Sequence, residues 1–142
     1  MSLIRTWKKA LESDLTNIVT ELKEVVQPPC VIILDGPVGA GKTTFTRAFL
    51  ERGEAPSPTY SLINEIDNIV HADLYRIEKK EDLIHLEIPM YLEEKDYVLI
   101  EWGMPYLRDL QRIIGDEFQY YQLKIEIDES KKSRHFFLNK LS

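Results

Sequence analysis

The amino-acid sequence predicts a single α/β domain, residues 1–142, built around a mixed, mainly parallel sheet. Three observations support this prediction. The length of 142 residues suits one domain. Fully apolar runs at residues 30–34 and 97–100 are typical of strands that are covered on both faces of a sheet. Helical patterns separate the predicted strands, as in folds that pack helices on a parallel sheet.

The first predicted elements are a strand and a helix. Residues 3–7 are expected to form a short edge strand. Between residues 15 and 26, apolar side chains recur at intervals of three and four, which predicts a helix with one buried face. Ser13 or Asp14 is available to cap its start, and the prolines at 28–29 end it.

A buried strand and a second helix follow. Residues 31–34 are all aliphatic and stop before Gly36, which predicts a strand buried on both faces. Phe45 and Phe49 then share one face of a helix, and Gly53 is expected to end that helix.

The middle of the chain predicts a hairpin. Residues 57–59 form a loop, after which strands at residues 60–66 and 69–73 are expected to pair around the two-residue turn Asp67-Asn68. This pair is antiparallel, so the sheet is expected to be mixed.

The last part of the chain predicts three strands and two helices. The apolar strand at residues 97–100 ends in Glu101. Residues 121–128 alternate apolar and polar side chains, which predicts a strand with one solvent-facing side. The remaining predicted elements are a short helix at residues 79–87, a helix at residues 107–114 that ends at Gly115, and a hairpin strand at residues 134–139.

Composition and charge exclude several classes of protein. Eighteen Lys and Arg against 24 Asp and Glu give a net charge of −6, which disfavours tight stand-alone binding to nucleic acid. The longest apolar run, residues 30–34, is far shorter than the roughly 20 residues of a membrane span. The first residues lack the apolar core of a signal peptide. We therefore expect a cytoplasmic protein without membrane segments, in which Cys30 is buried and inert.

A glycine-rich loop between the buried strand and the second helix is the most specific motif. Residues 36–43 match G-x-x-x-x-G-K-[ST], the pattern of a loop that wraps the phosphates of a nucleotide. Lys42 is expected to reach the β and γ phosphates, and the Thr43 hydroxyl is expected to bind Mg²⁺. This context predicts a P-loop NTPase-like three-layer sandwich. The expected nucleotide contacts in the loop are Gly36, Val38, Gly39, Ala40, Gly41, Lys42, Thr43 and Thr44.

Two carboxylates at strand ends are candidates for the metal and for the attacking water. Glu101 closes the strand at residues 97–100, and Asp73 closes the strand before it. Mg²⁺ bound through a nucleotide usually takes one or two protein carboxylates as well. A solvated strand end is the alternative for each carboxylate. His71 is either a structural hydrogen-bonding group or a proton-transfer residue.

Four short motifs occur in one order along the chain. They are GxxGAGKTT at residues 36–44, SPTY at residues 57–60, HxDLYR at residues 71–76 and LIEW at residues 99–102. In this combination the chain resembles the TsaE (YjeE) family, the bacterial P-loop ATPases of tRNA threonylcarbamoyladenosine biosynthesis. The resemblance covers residues 15–102 well and the rest loosely.

The resemblance implies an ATPase that binds ATP and Mg²⁺ at the loop, with Thr43 and Glu101 serving the metal. It places Asp73 beside that site and puts Thr59 in a loop that resembles a nucleotide-sensing switch. Arg134 would correspond to a family arginine near the nucleotide, with a solvated surface position as the alternative. Members of the family act with two larger partners, a TsaB-like and a TsaD-like protein. Because the chain is acidic, tRNA is expected to meet those partners and to contact this chain only indirectly.

The expected reaction is slow ATP hydrolysis that partners stimulate. Lys42, together with Mg²⁺ on Thr43 and Glu101, would neutralise the phosphate oxygens, while Asp73 or Glu101 orients the attacking water. Arg76 is the nearest candidate for an arginine finger, and a salt bridge at the strand end is its alternative role.

Two other functions stay open. A small-molecule kinase on the same fold would need a basic lid, for which only Arg108 and Arg112 are suitably spaced after residue 102. A non-catalytic ATP-dependent assembly module would use nucleotide binding alone to change its affinity for partners. Trp102 either packs in the core or contacts a partner.

Overall fold

The computed structural model describes residues 1–51 and 62–141, and the secondary structure of those residues consists of strands and short helices. Its strands are β1 (Ser2–Ala10), β2 (Cys30–Asp35), β3 (Ile63–Ile66), β4 (Ile69–Asp73), β5 (Tyr97–Glu101), β6 (Gln119–Ile127) and β7 (Arg134–Leu141). Its α-helices are α1 (Leu15–Val25), α2 (Lys42–Leu50), α3 (Glu81–His85) and α4 (Leu107–Ile114). Single 3₁₀ turns lie at Glu12–Asp14, Ile88–Tyr91 and Met104–Tyr106.

The strands form one sheet in the order β1-β7-β6-β2-β5-β4-β3. The central strands β6, β2, β5 and β4 are parallel to one another. β3 and β7 run antiparallel to their neighbours, and β1 extends the sheet as the antiparallel partner of β7. The predicted α/β fold with a mixed sheet is confirmed, and its parallel part is the centre of the sheet.

Helices cover both faces of the sheet. Successive side chains of a strand point to opposite faces, so Ile32 belongs to the apolar cluster under α1 and α2, whereas Ile33 belongs to the cluster under α3 and α4. Leu22 and Phe49 fill the first cluster and Leu110 fills the second, each with 0% exposure. This arrangement is the three-layer sandwich that the sequence predicts.

The parallel centre of the sheet determines where the candidate site lies. In register, Leu34 of β2 and Asp73 of β4 both pair with Glu101 of β5. The carboxyl ends of these three strands therefore meet at one edge of the sheet. The loop that follows β2 leads directly into α2 at the same edge, which brings the glycine-rich motif beside both carboxylates.

The predicted hairpins are present, and several element ends differ from the predictions. β3 and β4 pair antiparallel around Asp67-Asn68, and β6 pairs antiparallel with β7. β1 extends to Ala10 instead of stopping at residue 7, because β7 offers a pairing partner along its length. α2 ends at Leu50, before the predicted stop at Gly53, which lies outside the described residues, as does the predicted start of β3 at residue 60.

Two local predictions are corrected. Asp14 precedes α1 but makes no side-chain cap of that helix; its carboxylate instead accepts a hydrogen bond from the Leu11 N–H at 2.8 Å, within the preceding 3₁₀ turn. Gln122, predicted to face solvent, is only 5% exposed. β2 and β7 flank β6 in the sheet, and Gln122 is hydrogen-bonded to Asp35 of β2 and Asn139 of β7.

Among residues 1–51 and 62–141, no helix combines the length and apolar content needed to cross a membrane.

Candidate active site

A cavity of about 480 Å³ opens at the sheet edge where β2, β4 and β5 end. Three of the sequence motifs contribute to it: the glycine-rich loop, HxDLYR and LIEW. The lining residues are Val38, Gly39, Gly41, Lys42, Thr43, Thr44, Asp73, Tyr75, Glu101 and Trp102. Residues that are far apart in the sequence therefore meet around one space, which we call the main cavity.

The backbone of the loop depends on its glycines. Gly39 and Gly41 have φ angles of 83° and 105°, a region that side chains with a Cβ rarely adopt. At Gly36 the constraint is space, because a Cβ there would lie 2.6 Å from the carbonyl oxygen of Ile125 on β6. The loop can therefore run close to the backbone of β6 before α2 begins.

Lys42 is the first residue of α2 and is only 6% exposed. Its ammonium donates to the carbonyl oxygens of Gly36 and Pro37, the second at 3.0 Å, and lies 3.9 Å from the ring centroid of Trp102. Burial lowers the pKa of Lys42, and the negative charge of Glu101 opposes that shift. The ammonium of Lys42, which the sequence predicts to bind phosphate, thus lies at the main cavity and is hydrogen-bonded to the backbone of its own loop.

Glu101 joins the loop to the neighbouring strand. Its Oε1 accepts a hydrogen bond from the Thr43 hydroxyl at 3.2 Å, and its Oε2 lies 2.6 Å from Nε2 of His71. Glu101 and His71 are 3% and 2% exposed. The alternative of a solvated strand end is therefore wrong for Glu101, and His71 is a hydrogen-bonding partner of that carboxylate.

Asp73 lies at the end of β4 on the other side of the main cavity and is half-buried. Burial raises the pKa of Asp73. The N–H of Tyr75, which donates to Oδ1 at 3.0 Å, opposes this rise, whereas the nearby negative charge of Glu101 raises the pKa further. A carboxyl group with a raised pKa next to a second carboxylate is typical of sites that handle water and protons.

The oxygen donors around the main cavity suit a hard divalent cation. The Thr43 hydroxyl and Glu101 Oε1 are 3.2 Å apart, close to the roughly 3 Å that separates adjacent ligands of an octahedral ion with bonds of 2.0–2.1 Å. Asp73 adds a second carboxylate nearby. Within the described ranges, no group of three or more His, Cys, Asp and Glu residues could hold a metal alone, so such an ion would need further ligands from water or from phosphate.

Arg134 contacts the loop backbone. From β7, its Nε donates to the carbonyl of Ala40 at 2.9 Å and its Nη2 donates to that of Gly39 at 3.2 Å. It also lines a smaller cavity of about 170 Å³, which shares Gly41 and Thr44 with the main cavity. Arg134 therefore lies beside the loop, with its guanidinium engaged by two loop carbonyls.

Two aromatic residues form the mouth of the main cavity. The rings of Tyr75 and Trp102 have centroids 5.1 Å apart. Trp102 is half-buried, has a φ of 63° and also packs against the apolar cluster under α3 and α4. Its position is therefore compatible with both of its predicted roles. Tyr75 was not singled out from the sequence, although it lies inside the HxDLYR motif, two residues after Asp73.

Other predicted site residues lie elsewhere. Arg76 is exposed and is not among the residues that line the main cavity. Arg108 and Arg112 line a separate surface groove on α4, where Arg112 pairs with Asp109 at 2.6 Å. The arginines that the kinase alternative requires are thus not at the main cavity. Thr59 lies outside the described residues.

Comparison with known proteins identifies the family. A family model described as "Threonylcarbamoyl adenosine biosynthesis protein TsaE" matches residues 10–136. Curated relatives described as tRNA threonylcarbamoyladenosine biosynthesis protein TsaE include one from Haemophilus influenzae, 38% identical over 90 residues (58% of this chain and 57% of the relative). Another, from Nostoc sp., is 38% identical over 110 residues, covering 67% of this chain and 66% of the relative. The chain thus spans about 57% to 66% of the length of these relatives.

A solved structure shares the fold. The crystal structure of Bacillus subtilis YdiB matches with a TM-score of 0.66 at 20% identity, over 100% of this chain and 89% of that one. This likeness concerns the fold alone, whereas the family model covers most of the sequence and includes three of the motifs that meet at the main cavity. The chain therefore belongs to the TsaE family.

Proposed function

We propose that this chain binds ATP with Mg²⁺ in the main cavity and hydrolyses it slowly, in support of tRNA threonylcarbamoyladenosine biosynthesis in the cytoplasm. The observation that carries the proposal is the convergence of Lys42, Thr43, Asp73 and Glu101 on one cavity at the start of a helix that follows a glycine-rich loop. A cation, a hydroxyl and two carboxylates in that setting are the groups that phosphoryl transfer requires.

The two cavities suggest how the nucleotide lies. Lys42 and Thr43 mark the end of the loop that suits the β and γ phosphates. The smaller cavity lies beyond Gly41 and Thr44 and is lined by apolar residues and by cations, among them Leu15, Phe136 and Arg134. A space lined by both apolar and polar side chains suits a base and ribose. The triphosphate would then run along the loop from the smaller cavity into the main cavity.

The chain's own residues supply positioning and charge. Lys42 would leave the carbonyls of its loop and donate to the phosphates, and Thr43 and Glu101 would hold Mg²⁺. When bound, Mg²⁺ supplies positive charge that stabilises the phosphate oxygens. Asp73, whose pKa is raised by burial, would hold the attacking water on the open side of the main cavity.

Slow turnover follows from the residues that line the main cavity. In the described part of the chain, no arginine is among them, and an arginine finger contributes about 10³- to 10⁵-fold in related reactions. TsaB-like and TsaD-like partners would complete or order the site. Val38 and Tyr75 at its mouth are 73% and 62% exposed, which leaves them available to such partners. With a net charge of −6, the chain would meet tRNA only through them.

Calorimetry with ATP and Mg²⁺ tests the binding proposal. The unaltered chain should bind ATP, and Lys42→Ala should bind it about 10- to 100-fold more weakly, because a charged hydrogen bond contributes about 1.5–3 kcal/mol. Lys124→Ala is the control, since Lys124 is an exposed lysine of β6 that pairs with Glu126. No uptake by the unaltered chain, or equal uptake by Lys42→Ala, would overturn the proposal.

Because no arginine of residues 1–51 and 62–141 lines the main cavity, a second candidate is a non-catalytic assembly module in which ATP binding alone changes partner affinity. ATP hydrolysis by the unaltered chain, measured with and without both partners, distinguishes the two candidate functions. Stimulated hydrolysis supports the ATPase, and partner binding that responds to ATP without any hydrolysis supports the module.

A further inference from the structure

Two buried polar atoms in the described part of the chain have no hydrogen-bond partner: Nδ1 of His71 and Nδ2 of Asn64. Buried polar groups are almost always hydrogen-bonded, so each exception calls for a physical reason. His71 and Asn64 are directly paired across β4 and β3. Their side chains therefore lie on the same face of the sheet, with Cβ atoms about 4.5–5.5 Å apart.

The two atoms are chemically complementary. An amide nitrogen of Asn only donates hydrogen bonds, whereas Nδ1 of a neutral imidazole accepts one when the ring proton is on Nε2. A direct contact, or one water molecule held between them, satisfies both atoms. The paired register places this donor and this acceptor beside each other at the same level of the sheet.

The other nitrogen of the ring points at the candidate site. Nε2 of His71 lies 2.6 Å from Oε2 of Glu101, and the second oxygen of that carboxylate accepts the Thr43 hydroxyl. His71 is 2% exposed, so water from bulk solvent does not compete for the ring. A hydrogen-bonded path thus runs from His71 on β4 through Glu101 on β5 to Thr43 of the loop, and Asn64 on β3 is paired with the residue at which it starts.

We propose that Asn64 and His71 are positioning residues for Glu101. The Asn64 amide donates to Nδ1 of His71, directly or through one buried water molecule, and keeps the ring proton on Nε2. The ring then donates to Oε2 of Glu101 and fixes the rotation of the carboxylate, so that Oε1 faces Thr43 and the main cavity. Groups of this kind that orient a metal-binding or reacting side chain typically contribute 10- to 100-fold to affinity or activity.

The consequence for activity rests on the proposed function, whereas the hydrogen-bonding arrangement does not. The first experiment therefore measures which ring nitrogen of His71 carries the proton, in the full chain without nucleotide. Long-range ¹H–¹⁵N correlation spectra distinguish the two neutral tautomers and the doubly protonated ring. The His71 signals can be assigned by comparison with His85→Gln and His135→Gln, which remove the other histidines of the sequence. We expect the Nε2-protonated tautomer; a proton on Nδ1, or on both nitrogens, would overturn the proposal.

The second experiment changes Asn64. Asn64→Leu removes the donor without adding charge, so the single fixed tautomer should be lost and kcat for ATP should fall by about 10- to 100-fold. Glu65→Gln is the matched control on the same strand, because Glu65 is exposed and pairs with Lys95; it should leave both the tautomer and kcat unchanged. If Asn64→Leu does not fold, the smaller Asn64→Ala removes the same donor and should also lose the single fixed tautomer.

The outcomes separate this inference from the proposed function. An expected tautomer in a chain that neither binds nor hydrolyses ATP supports the arrangement and contradicts the function. Normal hydrolysis by the unaltered chain together with an unchanged kcat in Asn64→Leu contradicts the positioning role. A lower kcat with the Nε2-protonated ring retained also contradicts it, because the loss would then be a general effect on β3.

Discussion

The hydroxyl of Thr43 donates to the carboxylate of Glu101 at 3.2 Å, although 58 positions separate the two residues in the sequence. This contact joins the first turn of α2 to the end of β5, so the glycine-rich motif and the LIEW motif form one unit. Both residues line the main cavity, so we expect a change in either residue to affect the same part of the candidate site.

Replacing Glu101 by Gln should separate hydrolysis from binding. The amide keeps the shape and remains able to contact Thr43 and His71, but it lacks the negative charge that would hold Mg²⁺. We expect ATP to bind and turnover to fall by two or more orders of magnitude, as for other groups that stabilise the transition state. Turnover is measured by phosphate release, with Glu126→Gln on β6 as control. Retained partner regulation without hydrolysis would favour the assembly module.

Replacing Gly36 by Ala should damage both stability and nucleotide binding. The new Cβ would lie 2.6 Å from the backbone oxygen of Ile125, and such overpacking costs about 1–3 kcal/mol. Urea unfolding gives the free energy, and calorimetry gives the ATP affinity.

Gly103→Ala serves as the comparison for Gly36→Ala. Its Cβ would meet a methyl group of Ile100 at 2.7 Å, and Gly103 does not line the main cavity. It should therefore lose stability while the folded fraction keeps its affinity for ATP. A Gly36→Ala variant with unaltered affinity would show that the close approach of the loop to β6 is not needed for binding.

Replacing Arg134 by Ala should weaken ATP binding through the shape of the loop. The variant loses the hydrogen bonds to Ala40 and Gly39, each of which contributes about 0.5–1.5 kcal/mol net, or more when the donor is charged. We expect an affinity about tenfold lower. Arg112→Ala, an exposed arginine on α4, is the control. Arg134→Lys should recover little, because an ammonium does not reproduce the planar fork that spans two carbonyls.

Replacing Trp102 by Ala should affect partner-stimulated turnover more than ATP affinity. The ring stabilises the Lys42 ammonium by a cation–π contact at 3.9 Å, a contribution of about 0.5–2 kcal/mol that must be given up when Lys42 turns to phosphate. Its loss should therefore leave affinity unchanged or slightly higher. Turnover is measured with and without the partners, and Trp7→Ala on β1 is the matched control. Equal losses in both measurements would instead indicate unfolding.

The turn between β6 and β7 should contribute pH-dependent stability. Hydrogen bonds from Ser130, His135 and Ser133 lower the pKa of Asp128 to about 2. Because the pKa is lower in the folded than in the unfolded chain, the stabilisation is present above about pH 3.8 and is lost as the pH falls through about 2.

The Asp128→Asn variant tests this dependence. It should be less stable than the unaltered chain at neutral pH, and the difference should shrink as the pH falls towards 2. Urea midpoints across that range give the measurement, with the neighbouring exposed Glu129→Gln as control. A difference that stays constant down to about pH 3 would contradict the assignment of the effect to this carboxylate.

Local sequence patterns predicted the elements around the site better than they predicted its contacts. The strand, loop and helix from residue 30 to residue 50 were predictable because adjacent residues determine them: an aliphatic run, glycines and a helical period. The same holds for the β3–β4 hairpin, whose turn lies between two alternating segments.

Contacts between distant segments were not predictable in the same way. The Glu101–His71 pair spans 30 positions, and Arg134 reaches Ala40 across 94. Such contacts depend on the strand order of the sheet, which local patterns do not specify. Gln122 illustrates the error that follows: its polar side chain suggested a solvent-facing position, but it is buried and hydrogen-bonded to Asp35 and Asn139 on the two neighbouring strands.

The ammonium of Lys42 already has two carbonyl partners and an aromatic ring before any ligand arrives. A single small anion would have to displace these contacts in return for few new ones, so the loss of the resting hydrogen bonds offsets much of its gain. A polyphosphate chain gains contacts along the whole loop in the same event. We therefore expect the resting contacts of Lys42 to disfavour inorganic phosphate relative to a triphosphate.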